Sequence, residues 1–178
     1  MTNMKYAIIS TMITETDCFQ VLIQSRPLDL MKGFEFVHSK KCGAVSSFFG
    51  TIRDTDIRVD NQQVQEPIEA IYYESYENMA MKQISSIARS EVNFNNLIDS
   101  DIRVFIAIRL GLVPVGEVSI AIFASSKRRH TSNRVVMSIL EQVKSSVVIW
   151  KKIIFSDGSE EWAGPCKSEA NWLNRLEI

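Results

Sequence analysis

Lys144 and Lys151 stand seven residues apart with Trp150 beside the second, and this trio offers the chain's plainest opportunity for chemistry. On one continuous helix the two lysines would be two turns apart, about 10 Å, on nearly the same face. If a helix stops near Ile149 they flank a helix–strand corner instead, and either arrangement can put two amines on one pocket. A desolvating indole and a neighbouring cation each disfavour a charged lysine, which suits it to act as acid, base or nucleophile. Two lysines on the solvated face of an amphipathic helix would carry the same spacing. Upstream, Lys127-Arg128-Arg129-His130 precedes a helix start, where unpaired backbone N–H groups favour an anion and guanidinium groups bind phosphate through paired hydrogen bonds. A solvated basic turn has that composition too. Between 127 and 152 seven Lys/Arg residues face one acid, Glu141, on a chain of formal net charge −1. A local positive field on a balanced molecule favours a small anionic ligand over bulk nucleic acid.

A chain of 178 residues, 46% hydrophobic and 23% charged, fits one globular domain with a real core. Cys18, Cys42 and Cys166 are far apart, odd in number and in no Cys-x-x-Cys pattern, so neither a disulfide framework nor a zinc site is expected. With His38 and His130 the only histidines, a histidine-based metal site is not expected either. The apolar run Tyr6–Ile9 is too short for a secretory signal, and no stretch of 18 apolar residues exists for a membrane span. The expectation is a cytoplasmic protein with no membrane or nucleic-acid partner.

The elements that must position these residues follow from period and punctuation. Phe19–Ile23 reads as a strand, 27–38 as a helix with Pro27 near its first turn, and 43–53 as a strand with a glycine at Gly50. Residues 54–67 are polar and lack a hydrophobic period, which predicts a long loop. Strands are expected at 68–76, 102–110 and 118–124, the last two joined by a turn over 111–116 with Pro114 and Gly116. The spacing predicts a helix over 77–92. A second helix follows a cap at Thr131-Ser132-Asn133, with the stripe Val135, Val136, Ile139, Leu140, Val143 and Val147 facing a sheet. Trp150–Phe155 is a final strand, followed by an Asp157-Gly158 turn. This order fits an α+β sandwich.

Four blocks then carry a family resemblance in chain order: Gly43-Ala-Val-Ser-Ser-Phe-Phe-Gly-Thr-Ile-Arg-Asp54, Tyr73-Glu-Ser-Tyr-Glu-Asn-Met-Ala80, Arg109-Leu-Gly-Leu-Val-Pro-Val-Gly116, and Lys144 ahead of Trp150-Lys-Lys152. Together they resemble the large, catalytic subunit of molybdopterin synthase, the MoaE family, from about Phe19 to Trp162. The resemblance implies an α/β hammerhead fold with a mostly antiparallel sheet, over 17–165, between an N-terminal extension (1–16) and a C-terminal tail (166–178). It implies a homodimer core that binds a small ubiquitin-like sulfur-carrier subunit at each end, giving a heterotetramer. Sulfur passes from the small subunit's C-terminal thiocarboxylate to cyclic pyranopterin monophosphate, forming the dithiolene of molybdopterin, with no cofactor or metal required. By the same resemblance Lys144 and Lys151 are the catalytic lysines, and Arg53 and Arg129 match substrate-binding arginines; Arg128, His130 and Lys167, at or beside positions the family fills differently, are expected to bind substrate with them. This chain departs from the family where the histidine before Arg129 is replaced by Arg128, with His130 two positions later. It departs again at Cys166, where the family carries a basic residue. A non-catalytic relative that binds the small subunit is the alternative those departures motivate.

Overall fold

The computed structural model describes residues 11–57, 65–97 and 100–163. Two five-membered β-systems and three helices make up these residues. In chain order they are β1 (Met12–Glu15), β2 (Phe19–Gln24), α1 (Leu30–Val37), β3 (Ala44–Thr51), β4 (Thr55–Ile57), β5 (Gln65–Ser75), α2 (Glu77–Asn96), β6 (Arg103–Arg109), β7 (Gly111–Pro114), β8 (Val118–Ser126), α3 (Arg129–Ser146), β9 (Ile149–Phe155) and β10 (Glu160–Trp162).

The first sheet runs β1-β2-β6-β8-β3, with β2 and β6 parallel and the other pairs antiparallel. Its central strand β6 is buried from Val104 to Arg109, because both faces are covered. On one face α2 and α3 bury Ile84, Ala88, Val135, Ile139 and Val143 against Val104, Ile106 and Ile122. Within each helix these residues recur at intervals of four, the stripe a helix presents to a sheet. On the other face α1 lays Val37 over Phe105 and Phe123, and its Gly33 is buried where a Cβ would strike the Phe123 ring.

The second sheet runs β10-β9-β5-β4, with β7 also paired to β5. Strand β5 is its hub: β9 pairs along Ile68–Ser75, β7 along Ala70–Tyr73 and β4 along Gln65–Pro67. A small core of Ile52, Ile68, Ile71, Val113, Ile153 and Phe155 holds this sheet.

Three expectations are corrected. The stretch 54–67 is not all loop, since β4 pairs with the start of β5. The segment 111–116 is a strand before it is a turn: β7 pairs with β5 over Gly111–Pro114, and the turn follows around Gly116, at φ +83°, closed by Glu117 N–H donating to the Pro114 carbonyl at 3.2 Å. Helix α3 begins at Arg129 with Arg128 as its N-cap, earlier than the Thr131-Ser132-Asn133 cap. Thr131 and Ser132 are buried, and Ser132 Oγ meets Ser46 Oγ at 2.7 Å, so this serine joins α3 to β3. Strand β1 also lies within the stretch assigned to an N-terminal extension.

Candidate active site

Helix α3 ends at Ser146, Val147 closes it by donating to the Val143 carbonyl at 3.1 Å, and β9 starts at Ile149. Lys144 and Lys151 therefore flank a helix–strand corner. Lys144 is exposed in the last helical turn, where a cation complements the helix dipole, and its side chain has no partner among the described residues.

Lys151 sits on β9 opposite Tyr73 of β5, while Trp150 sits opposite Glu74. Successive strand residues face opposite ways, so Trp150 does not wall Lys151 as the sequence had suggested. Trp150 instead packs edge-on against Tyr76, ring centroids 5.4 Å apart. The two rings line an open cleft of about 320 Å³ with Glu74, Ser75 and Trp162.

On its own face Lys151 meets Asp56. Its Nζ donates to Asp56 Oδ2 at 2.6 Å, and Arg53 Nη2 donates to Asp56 Oδ1 at 3.3 Å. The side chains are 32% exposed for Lys151, 10% for Asp56 and 66% for Arg53. Burial pushes the Asp56 carboxyl up, but the Lys151 hydrogen bond, the Ile57 N–H bond and the charges of Lys151 and Arg53 outweigh it and hold its pKa below the usual value. Asp56 is therefore a carboxylate at neutral pH. Arg53 is delivered by a firmly tied backbone: Ile52 bonds through both its N–H (to Glu117 O, 3.1 Å) and its C=O (from Gly116 N, 2.8 Å), and Asp54 O accepts from Ile68 N at 2.9 Å. Beside this group lies Tyr73, whose pKa is raised, first by burial and also by the Asp56 charge, against the opposing pull of a hydrogen bond with Ser119. Its phenol is thus a neutral hydroxyl at physiological pH.

The other residues expected at the site are elsewhere. Arg128, Arg129 and His130 are exposed at the opposite end of α3, with no side-chain partner among the described residues. Lys127 is held by Ser100 Oγ at 2.5 Å and by Asp101 at 3.7 Å. Fifteen helical residues separate Arg129 from Lys144, about 22 Å at the usual rise. Strand β3 shows the same division. Ala44 pairs with Ser126 next to the basic turn, whereas Arg53 lies just beyond the far end of the strand. The chain thus brings Arg53 and Lys151 together, sets Lys144 across the corner, and leaves the basic turn at the other end. Lys167 lies outside the described residues. No group of three or more His, Cys, Asp or Glu suited to a metal ion occurs among the described residues.

Sequence reasoning missed Asp56, which sits in a polar stretch with no hydrophobic period. The available signal was its i, i+3 spacing from Arg53. Tyr73 was visible only as part of a motif, without a role.

Residues 23–146 match the family described as MoaE protein. The chain is similar to a molybdopterin synthase catalytic subunit of Dictyostelium discoideum, 39% identical over 148 residues, covering 82% of this chain and 87% of that one. A protein of the same name from Arabidopsis thaliana is 32% identical over 168 residues, covering 92% and 75%. Among solved structures, molybdopterin synthase from Staphylococcus aureus superposes with a TM-score of 0.67 at 27% identity, over 80% of this chain and 95% of that one. The fold is shared as well with a complex of subunits 1 and 2 of molybdopterin-converting factor from Helicobacter pylori, TM-score 0.63 at 20% identity, over 80% and 89%.

Proposed function

The chain belongs to the MoaE family, and from that membership we propose that it is the catalytic subunit of a molybdopterin synthase. It transfers sulfur from the thiocarboxylated C-terminus of a small ubiquitin-like subunit to cyclic pyranopterin monophosphate, building the molybdopterin dithiolene. The observation that carries this reading is the convergence of Arg53 and Lys151 at the corner that Lys144 flanks. A thiocarboxylate tail is anionic, and two cations with N–H groups still open to solvent suit its end. Lys144, unpartnered among the described residues, is the amine available for proton transfer as each sulfur leaves its carbonyl. The substrate's phosphate suits the α3 N-terminus, where Arg128 and Arg129 flank backbone N–H groups.

That turn lies about 22 Å from Lys144 within one chain, too far for one pterin to bridge. The homodimer implied by the four sequence blocks removes the difficulty if the basic turn of one protomer faces the lysine corner of the other. Among the described residues no helix is long and apolar enough to cross a membrane, and a cytoplasmic site of action accompanies this reading.

The test is reconstitution with a thiocarboxylated small subunit and cyclic pyranopterin monophosphate. Lys144→Ala is expected to lower dithiolene formation at least about a hundredfold while the small subunit still binds. No product from the unaltered chain, with the small subunit bound, would instead mean a retained scaffold, the outcome that Arg128 at the family's histidine position would explain.

A further inference from the structure

The geometry points to Asp56 as the positioning residue that joins Arg53 and Lys151 into one two-armed receptor for a singly charged oxyanion, a role that rests on the function proposed above. The two cations come from different parts of the chain, the segment after β3 and strand β9. Placed side by side they repel unless an anion stands between them. Asp56 supplies it with one oxygen for each arm: Oδ1 accepts from Arg53 and Oδ2 from Lys151. The Ile57 N–H, at 2.9 Å from Oδ1, fixes the carboxylate in turn.

A carboxylate between two cations could either brace them or occupy the place of their ligand, and the order of exposure decides. Asp56 is the most buried of the three, Lys151 intermediate and Arg53 the most open. An anion arriving from solvent meets the remaining ammonium and guanidinium N–H groups before it meets Asp56, so Asp56 braces from behind. The trio keeps one net positive charge, which matches one carboxylate or thiocarboxylate end. The substrate's phosphate is the other source of such a group, and the test separates them.

Asp56→Asn keeps the shape of the side chain and removes its charge. Affinities of the unaltered chain and this variant would be measured for three probes: the intact small subunit, the same subunit lacking its last two residues, and cyclic pyranopterin monophosphate. The expected result is about a tenfold loss for the intact tail, with the truncated subunit and the pterin unchanged. A loss confined to the pterin would keep the receptor and assign it to phosphate. Unchanged or tighter binding of both anions overturns the brace, as does an equal loss for intact and truncated subunits, which marks a merely structural role. A second readout needs no ligand: labelling of Lys151 by an amine-directed reagent, relative to Lys144 in the same sample, rises severalfold in Asp56→Asn if the brace is real. An unchanged ratio overturns it. If the unaltered chain binds intact and truncated subunits alike, the tail-binding reading fails by itself and the labelling ratio still decides the role of Asp56.

Discussion

Asp56 makes acid stability a residue-scale property of this protein. Its carboxyl is held below the ordinary 3.8, so the stability it contributes is fully present above that value and is lost as pH falls through the lower folded one. Melting temperatures followed from pH 7 to pH 2.5 should fall less steeply below about pH 4 in Asp56→Asn than in the unaltered chain. Parallel curves would show that the carboxylate contributes nothing through its ionisation. At this scale the sequence exposed the residues that share a motif, Arg53, Lys144 and Lys151, because residue type and order are directly visible. It hid Asp56, because an inward-facing carboxylate in a polar stretch differs from its solvated neighbours only through its three-dimensional contacts. It misassigned Trp150 because adjacency in sequence becomes opposition in a strand.

The long elements were legible because a hydrophobic stripe needs several turns to declare itself. Helix α3 carries Val135, Val136, Ile139, Leu140 and Val143 inward, as its spacing predicts. Strands β4, β7 and β10 have three or four residues each, too few for a period, and their pairing with longer strands defines them. Helix α1 rests on a close approach: a Cβ at Gly33 would lie 2.5 Å from Phe123 Cδ2 and 2.9 Å from Phe105 Cδ1. Gly33→Ala gains at most about 1 kcal/mol of helix propensity but forces two buried rings to shift, an overpacking cost of about 1–3 kcal/mol. Net destabilisation in urea unfolding is the expected result, and a stabilised variant would show that α1 moves freely on the sheet.

For the molecule as a whole, the proposed pairing of one chain's basic turn with a second copy's lysine corner would make activity a property of pairs. Arg129→Ala and Lys151→Ala proteins should each be nearly inactive, and mixing them under conditions of subunit exchange should restore about a quarter of normal activity. Half the dimers would be mixed, and each would hold one intact site of two. No recovery after verified exchange would place each site within one chain. The sequence showed the basic turn and the lysine pair but not the distance between them, which depends on helix length and strand direction together. The hub strand β5 has a consequence during synthesis. Its partner β9 leaves the ribosome roughly 75 residues after β5, which at about 5–20 residues per second leaves one long edge of β5 open for some 4–15 s. An unpaired edge is a template for adventitious strand pairing. The nascent chain is therefore vulnerable to aggregation through β5 between the emergence of Ser75 and that of Ile149, and a stalled or truncated product ending before β9 should be a chaperone client.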